Sequence, residues 1–217
     1  MKEILCYGDS NTWGHTPVTG RRFSRAVRWT GVAQKLLGDE YFIHENGIGG
    51  RTSSFDDPLV PCKNGLKSLD YALLSSRPLD MIVLCLGTND MKLTNVQGSR
   101  NGNEMLIKEI LIANERFHTH EPIFPNGIRI LLIAPIHIHS DVENINPGSR
   151  FTSDAAKETK LFAQQFEELA ASYPEVSFLD ASLYASPSEE DAVHMSADSH
   201  QRLGKAVAEK IREILEV

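Results

Sequence analysis

The sequence predicts a three-layer α/β/α sandwich on a five-stranded parallel sheet, and three observations support it. Short apolar runs alternate with segments whose apolar residues recur at helical spacing, the pattern of repeated strand–helix–strand units. The run Met81-Ile82-Val83-Leu84-Cys85-Leu86 shows no polar alternation, as expected of a central strand covered on both faces. Turns rich in Gly, Ser, Asn and Asp follow the strands and collect at one edge of the sheet, where open α/β folds bind ligands. The 217 residues are read as one domain, 1–217, without repeats, linkers or low-complexity segments.

Ile4 and Leu5 begin the first strand, which runs into the glycine-bounded turn Gly8-Asp9-Ser10-Asn11-Thr12-Trp13-Gly14. Residues 15–28, with glycine, proline and several arginines, read as a loop. Thr30 is read as the cap of a helix through Leu37, with Val32, Ala33, Leu36 and Leu37 buried and Gly38 ending it. Alternation in Tyr41-Phe42-Ile43-His44-Glu45 marks the second strand, which stops at Asn46-Gly47. The next turn, Gly47-Ile48-Gly49-Gly50-Arg51-Thr52, imitates the dinucleotide pattern Gly-x-Gly-x-x-Gly but has Thr52 at the last position and follows the wrong strand. Its glycines are read instead as letting backbone N–H groups approach a ligand, with Gly50 the candidate.

Asn64 caps a helix through Ser76, carrying Leu66, Leu69 and Leu73, and Arg77-Pro78 closes it. The strand from Met81 delivers Gly87-Thr88-Asn89-Asp90 to the edge that holds Ser10. Leu106, Ile110, Ala113 and Phe117 mark a helix, and Ile128 to Ala134 a fourth strand ended by Pro135. Residues 136–152 form a long loop, read as a substrate-side lid or an intersubunit contact. Ser153 is read as the cap of a helical stretch carrying Phe162, Phe166, Leu169, Ala170 and Tyr173. Val176 to Leu179 is the fifth strand, and Leu203, Val207, Ile211 and Ile214 define the last helix.

A charged fraction of 24% and a hydrophobic fraction of 41% are those of an ordinary globular protein. The net charge of -7 argues against a nucleic-acid partner and favours a neutral or cationic small substrate. The apolar runs are too short to span a bilayer, so no membrane association is expected. Only Lys2 and Glu3 follow the initiating Met1 before the first strand, which leaves no room for a signal sequence and points to a cytoplasmic location. Cys6 and Cys85 in strands and Cys62 in a loop suggest neither a disulfide framework nor a zinc ribbon.

Ser10, at the end of a buried strand, is the candidate nucleophile. Such a serine needs a base, a group that orients the base, and donors for the charge on a tetrahedral intermediate. Asp191-Ala192-Val193-His194 supplies the first two: three positions apart in a turn, the Asp191 carboxylate reaches Nδ1 of His194 and leaves Nε2 for Ser10. Asp90 and Asp180 are rival orienters without that local spacing, and Asp9 reads as a turn-stabilising carboxylate.

Four motifs in order, Gly8-Asp9-Ser10-Asn11, the turn Gly49-Gly50, Gly87-Thr88-Asn89-Asp90 and Asp191-x-x-His194, make the whole chain resemble the SGNH hydrolases, a branch of the GDSL esterase and lipase family. The resemblance implies Ser10 as nucleophile, His194 as base, Asp191 as its carboxylate, and an oxyanion hole from the backbone N–H of Ser10 and Gly50 with the Asn89 side chain. Asn11 departs from the family's Gly-Asp-Ser-Leu opening, so an unusual substrate preference is expected to show there. Thr12-Trp13-Gly14, Arg28-Trp29-Thr30-Gly31, Gly50-Arg51-Thr52 and Asp56-Asp57-Pro58 resemble the bacterial arylesterase and acyltransferase branch, which implies a homo-oligomer whose subunits narrow the entrance.

Trp13 is a candidate pocket wall, weighed against core packing. Arg51 is a candidate for contact with substrate or a neighbouring subunit, weighed against pairing with Asp56 or Asp57. His137 and His139 point the same way on an extended segment but find no third ligand, so neither metal nor cofactor is expected. His118 and His120 read as solvated residues at a helix end. The function expected is hydrolysis of short-chain carboxylic esters through an acyl-enzyme, with acyl transfer to alcohols as a companion activity. The alternatives are a carbohydrate O-deacetylase of the same mechanism and a non-catalytic flavodoxin-like module that binds a phosphate-bearing ligand.

Overall fold

The computed structural model describes residues 1–117 and 121–216, so the expectations for His118 and His120 lie outside the described residues. Five parallel strands, β1 (Lys2–Gly8), β2 (Tyr41–Gly47), β3 (Met81–Cys85), β4 (Ile130–Ala134) and β5 (Val176–Asp180), form one sheet in the order β2-β1-β3-β4-β5. The helices are α1 (Ser10–Trp13), α2 (Trp29–Leu37), α3 (Gly65–Ser76), α4 (Val96–Leu111), α5 (Ala113–Arg116), α6 (Val142–Ile145), α7 (Ser153–Glu158), α8 (Phe162–Ala170) and α9 (Ala197–Leu215).

Side chains on a strand point alternately to the two faces, and both faces here are covered. Ile4, Cys6, Met81, Val83, Leu131 and Ile133 pack with Trp29 and Ala33 of α2 and with Leu203, Val207 and Ile211 of α9. Leu5, Tyr7, Ile82, Leu84 and Leu132 face the opposite way, against Leu69 and Leu73 of α3, Leu106 and Ile110 of α4, and Phe162, Phe166 and Leu169 of α8. This is why the Met81 run carries no polar alternation.

Local differences from the expected elements have physical reasons. Asn64 caps α3 as its position suggests, its Oδ1 accepting the Lys67 N–H at 3.3 Å. Thr30 does not cap α2. The helix starts at Trp29, whose N–H is accepted by Nδ1 of His200 on α9 at 3.2 Å, and the Thr30 hydroxyl donates to Glu45 on β2. Leu36 points outward and is 44% exposed, because α2 turns its buried stripe through Val32, Ala33 and Leu37. At α7 the capping side chain is Thr152 rather than Ser153, accepting the Ala155 N–H at 3.1 Å. Residues 136–152 are not a plain loop, since they contain α6 and a short 3₁₀ turn at Pro147–Ser149.

The parallel register places Gly8 beside both Gly47 and Cys85, so the turns after β1, β2 and β3 leave the sheet side by side. The turn after β1 winds straight into α1, which lies against the end of β2. A Cβ on Gly47 would meet the Trp13 nitrogen at 2.2 Å and the Thr12 carbonyl carbon at 2.6 Å, backbone that cannot step aside as a flexible side chain can. Gly47→Ala is therefore expected to lower stability by about 1–3 kcal/mol, the usual cost of overpacking. Thermal unfolding measures this, and an unchanged transition would contradict the close approach.

Candidate active site

At the end of β1, Asp9 occupies the N-cap of α1 and its Oδ1 accepts the Asn11 N–H at 2.9 Å. This one-turn helix fixes Ser10 as its first residue, 7% exposed at the C-terminal edge of the sheet. Residues 181–196, between β5 and α9, bring Asp191 and His194 to the same edge. Oδ1 of Asp191 accepts the N–H groups of Val193 (3.0 Å) and His194 (2.8 Å), a tight turn that puts Ala192 at φ 66°. Such strain is tolerated where surrounding bonds over-determine the backbone, and here Ala192 N–H donates to Ser188 O while Ala192 O accepts the His139 N–H.

The turn leaves Oδ2 of Asp191 2.6 Å from Nδ1 of His194, and Nε2 lies 2.9 Å from the Ser10 hydroxyl oxygen. An ionised carboxylate only accepts, so Nδ1 carries the ring proton and Nε2 is free to accept from Ser10. Burial pushes the Asp191 carboxyl up, but the hydrogen bond from the His194 ring, its charge and the two backbone N–H groups outweigh this and hold it below the usual carboxylate range.

The rival orienters are occupied elsewhere. Asp180 accepts the Ser182 N–H. Asp90 accepts the N–H of Ser53 at 2.7 Å and the hydroxyls of Ser53 and Ser99 at 2.7 and 2.8 Å, tying the turn after β3 to the segment after β2 and to α4. Burial raises the Asp90 carboxyl to about 6 in spite of those donors.

A cavity of about 260 Å³ opens over Ser10 and His194. Gly49, Gly50 and Asn89 form one wall, and His15, Lys92 and Val193 others; Asn146, Ser149 and Phe151 from the segment 136–152 complete it. Gly50 sits at φ 80°, a conformation open to glycine and strained for other residues. Asn89 Nδ2 donates to Arg51 O at 3.2 Å and lies 3.4 Å from Asp9 Oδ2, while its Oδ1 accepts from Lys92 Nζ at 2.8 Å. Two contacts anchor the segment 136–152 beside the cavity: Arg150 pairs with Asp57 through both carboxylate oxygens, and Asn146 donates to Asp191 O. A larger groove of about 630 Å³ lies at the opposite edge, among Lys2, Glu3, Asp80 and Asn126, and has no serine or histidine in its walls.

Three of the expected substrate contacts are corrected. Arg51 is 2% exposed, and its guanidinium donates to Gly8 O, Asn46 O and Asn46 Oδ1 while lying 4.0 Å over the Tyr7 ring. It clasps the ends of β1 and β2, and Asp56 and Asp57 pair instead with Lys67 and Arg150. Asn11 faces inward: its Oδ1 accepts the Met195 N–H at 3.0 Å and its Nδ2 donates to Val193 O at 3.4 Å. One carboxamide thus satisfies the backbone on both sides of His194. Trp13 lies outside the cavity wall, its carbonyl accepting from Arg22 and its ring beneath the Arg22 guanidinium.

His15 takes the wall position instead. Its ring stacks on His194 with centroids 3.9 Å apart and planes inclined by 29°. Burial, then the neighbouring His194, lowers its pKa. Among the described residues, His15, Asp191 and His194 are the one group of three whose ligand atoms come within 4.8 Å of one another. They are a poor metal set, because Asp191 and Ser10 already occupy both His194 nitrogens and stacked rings aim their lone pairs in near-parallel planes. His139 is engaged with Asp141 N–H and Glu189.

Two predictions follow from these contacts. Asn11→Leu leaves the Met195 N–H and Val193 carbonyl without partners, so it is expected to cost about 1–3 kcal/mol, to slow turnover, and to leave the ranking of substrates unchanged. Denaturant melts and an ester panel check this; a changed ranking at full stability would restore Asn11 as a substrate contact. The second prediction concerns pH. Between pH 6 and 3.8 the folded chain binds more protons than the unfolded one at Asp90, so stability is gained as pH falls through about 6. His200, whose pKa burial lowers to about 3, does the reverse, and stability is lost as pH falls from 6.5 toward 3. Each slope reaches at most about 1.4 kcal/mol per pH unit. Acidification from pH 6 to pH 4 is therefore expected to lower the urea midpoint more in Asp90→Asn than in the wild type, and less in His200→Gln. Identical pH dependence in all three would contradict the assignment.

The GDSL-like lipase/acylhydrolase family matches residues 6–202. The structure is similar to the aryl esterase of M. smegmatis, with 31% identity over 99% of this chain and 100% of that one and a TM-score of 0.89. It is equally similar to a carbohydrate acetylesterase of Sinorhizobium meliloti, with 31% identity over 99% and 100% of the two chains and a TM-score of 0.90. No curated protein sequence matches. With its family match covering most of its length, the chain belongs to the GDSL-like lipase/acylhydrolase family, whose SGNH hydrolase fold it shares.

Proposed function

We propose that this family member hydrolyses short-chain carboxylic esters through an acyl-enzyme on Ser10. The observation that carries the proposal is the continuous line of hydrogen bonds from Asp191 through His194 to Ser10, ending in a cavity beside Gly50 and Asn89. In this reading the Ser10 hydroxyl oxygen attacks the ester carbonyl carbon and its proton passes to Nε2 of His194. Asp191 keeps the Nδ1 proton in place and stabilises the imidazolium without itself becoming protonated. The negative charge on the carbonyl oxygen is met by the N–H groups of Ser10 and Gly50 and by Asn89 Nδ2. His194 then returns its proton to the leaving alcohol. Water, activated by the same base, releases the acid; a second alcohol in its place gives acyl transfer. His15, held toward its neutral form by burial, adds no second positive charge beside the imidazolium.

A cavity of about 260 Å³ favours small acyl groups such as acetyl. Acetylated sugars are a second reading, favoured by the polar groups of Lys92, Asn146 and Ser149 on its walls and by the carbohydrate acetylesterase among the similar structures. The homo-oligomer and cytoplasmic location expected from the sequence belong to the same proposal, and light scattering on the purified chain tests the assembly directly.

Ser10→Ala and His194→Ala are each expected to lower kcat on p-nitrophenyl acetate by roughly 10³-fold or more. Asn89→Ala is expected to lower it by about 100- to 1000-fold with the fold intact. Retention of wild-type turnover by either Ser10→Ala or His194→Ala would end the proposal. Relative kcat/KM on aryl acetates and on acetylated sugars decides between the two substrate classes.

A further inference from the structure

Lys92 is the ionisable wall residue to which the chemistry above gives no part. It is half-buried, lies one turn beyond Asn89 in the 3₁₀ turn Thr88–Lys92, and extends Nζ back to 2.8 Å from Asn89 Oδ1 and 4.6 Å over the Phe151 ring. Among the described residues its ammonium forms no ion pair. Asp57 is held by Arg150, and Asp9 faces Asn11 N–H and Asn89.

We propose that Lys92 is a positioning residue for the reaction, fixing which end of the Asn89 amide faces the cavity and strengthening that amide as an oxyanion donor. The inference rests on the reading of Asn89 as such a donor. A primary amide has two ends of nearly equal shape, one that only accepts and one that only donates, and only its partners choose between them. Arg51 O and Asp9 Oδ2 select the NH₂ end on their side, but at 3.2 and 3.4 Å these contacts are long. An ammonium has three donors and no lone pair, so a flipped amide would set NH₂ against NH₃⁺. The contact with Lys92 is the shortest of the three and is charge-assisted. It keeps one Nδ2 hydrogen on Arg51 O and the other on the long 3.4 Å contact with Asp9 Oδ2, the weaker of the two and the one a substrate oxygen would replace. A positive charge on Oδ1 also draws electron density from the amide nitrogen, which makes its N–H a better donor to a developing negative charge.

The groups around Lys92 set the expected pH behaviour. Burial and the charge of Arg150 lower its pKa, while Asp9 and Asp57 oppose this. Deprotonation of Lys92 on the alkaline side removes the charge that polarises Asn89, so turnover is expected to fall at a pH below the ordinary lysine range.

A double-mutant cycle in the full chain tests the inference, with p-nitrophenyl acetate as substrate and thermal melts confirming the fold. Lys92→Met is expected to lower kcat by about 10-fold or more, a part of what loss of a whole oxyanion donor costs, with KM changed less than about 2-fold. Lys92→Gln keeps a donor for Oδ1 without a titrating charge; it is expected to recover part of the loss and to lose the alkaline fall in kcat. Because Lys92 acts through Asn89, the Asn89→Ala/Lys92→Met double variant is expected to be no slower than Asn89→Ala alone. The inference is overturned if the two losses multiply, if Lys92→Met raises KM with kcat unchanged, which makes Lys92 a direct substrate contact, or if Lys92→Gln keeps the wild-type alkaline limb. Should Lys92→Met not fold, the Lys92→Gln pH profile and its combination with Asn89→Ala carry the same decision. If Asn89→Ala itself leaves kcat untouched, it is the oxyanion assignment that fails; if Asn89→Ala is crippled and Lys92→Met is not, only the role of Lys92 fails.

Discussion

The arrangement depends on the register of β1 with its two neighbours. Because Gly8 is level with Gly47 and Cys85, three turns leave the sheet together, and residues separated by tens of positions become contacts. Arg51 then locks two of the strand ends, donating to Gly8 O and to Asn46 while its plane covers Tyr7. A shift of β2 by one residue would reverse its faces and remove Gly47 from beneath α1. The site is thus a property of the pairing before it is a property of any side chain.

That convergence buries many polar groups in a small volume. Asp9, Asn11, Arg51, Asn89 and Asp90 are all at most 5% exposed, and each is matched with partners of the right polarity. Buried polar groups are costly unless satisfied, so the network leaves little freedom for any member to move. The raised pKa of Asp90 is one visible cost. The return is a set of donors and acceptors held in fixed directions around Ser10, which is what stabilising a developing charge requires. Asn11 and Asp191 illustrate the economy of the design: one side chain spans the backbone around His194, and the other binds both that backbone and the ring.

Much of the fold was legible because it follows from periodicity. The Met81 run, the cap at Asn64 and the stripe Leu203, Val207, Ile211 read directly as strand, helix start and buried face. The meeting of Ser10, Asp191 and His194 was legible because strand order and a three-residue spacing place them at one edge. What was not legible is direction. Arg51, Asn11 and Trp13 sit beside Ser10 in sequence or in space, yet their side chains point into the protein or onto Arg22, and composition carries no sign of which way a turn residue faces. His15 lay in a stretch without periodicity; its N–H on Ser10 O and the antiparallel bridge between His15 and Arg22 place it over His194. Lys92 went unmarked in the sequence; the 3₁₀ turn sets it one turn from Asn89, and the spacing Asn89-x-x-Lys92 was the signal available for it. The cap at Thr30 failed for a similar reason, since the acceptor for the first N–H of α2 comes from His200, far along the chain.

The central claim is that Ser10 is the single activated nucleophile of this chain. Labelling with a fluorophosphonate, followed by mass-spectrometric mapping of the adduct, tests it most directly. The account predicts one modified residue, Ser10, and loss of labelling when His194 is replaced by alanine, because the hydroxyl then has no base. Labelling at another residue, or labelling of Ser10 that persists at full rate without His194, would contradict it.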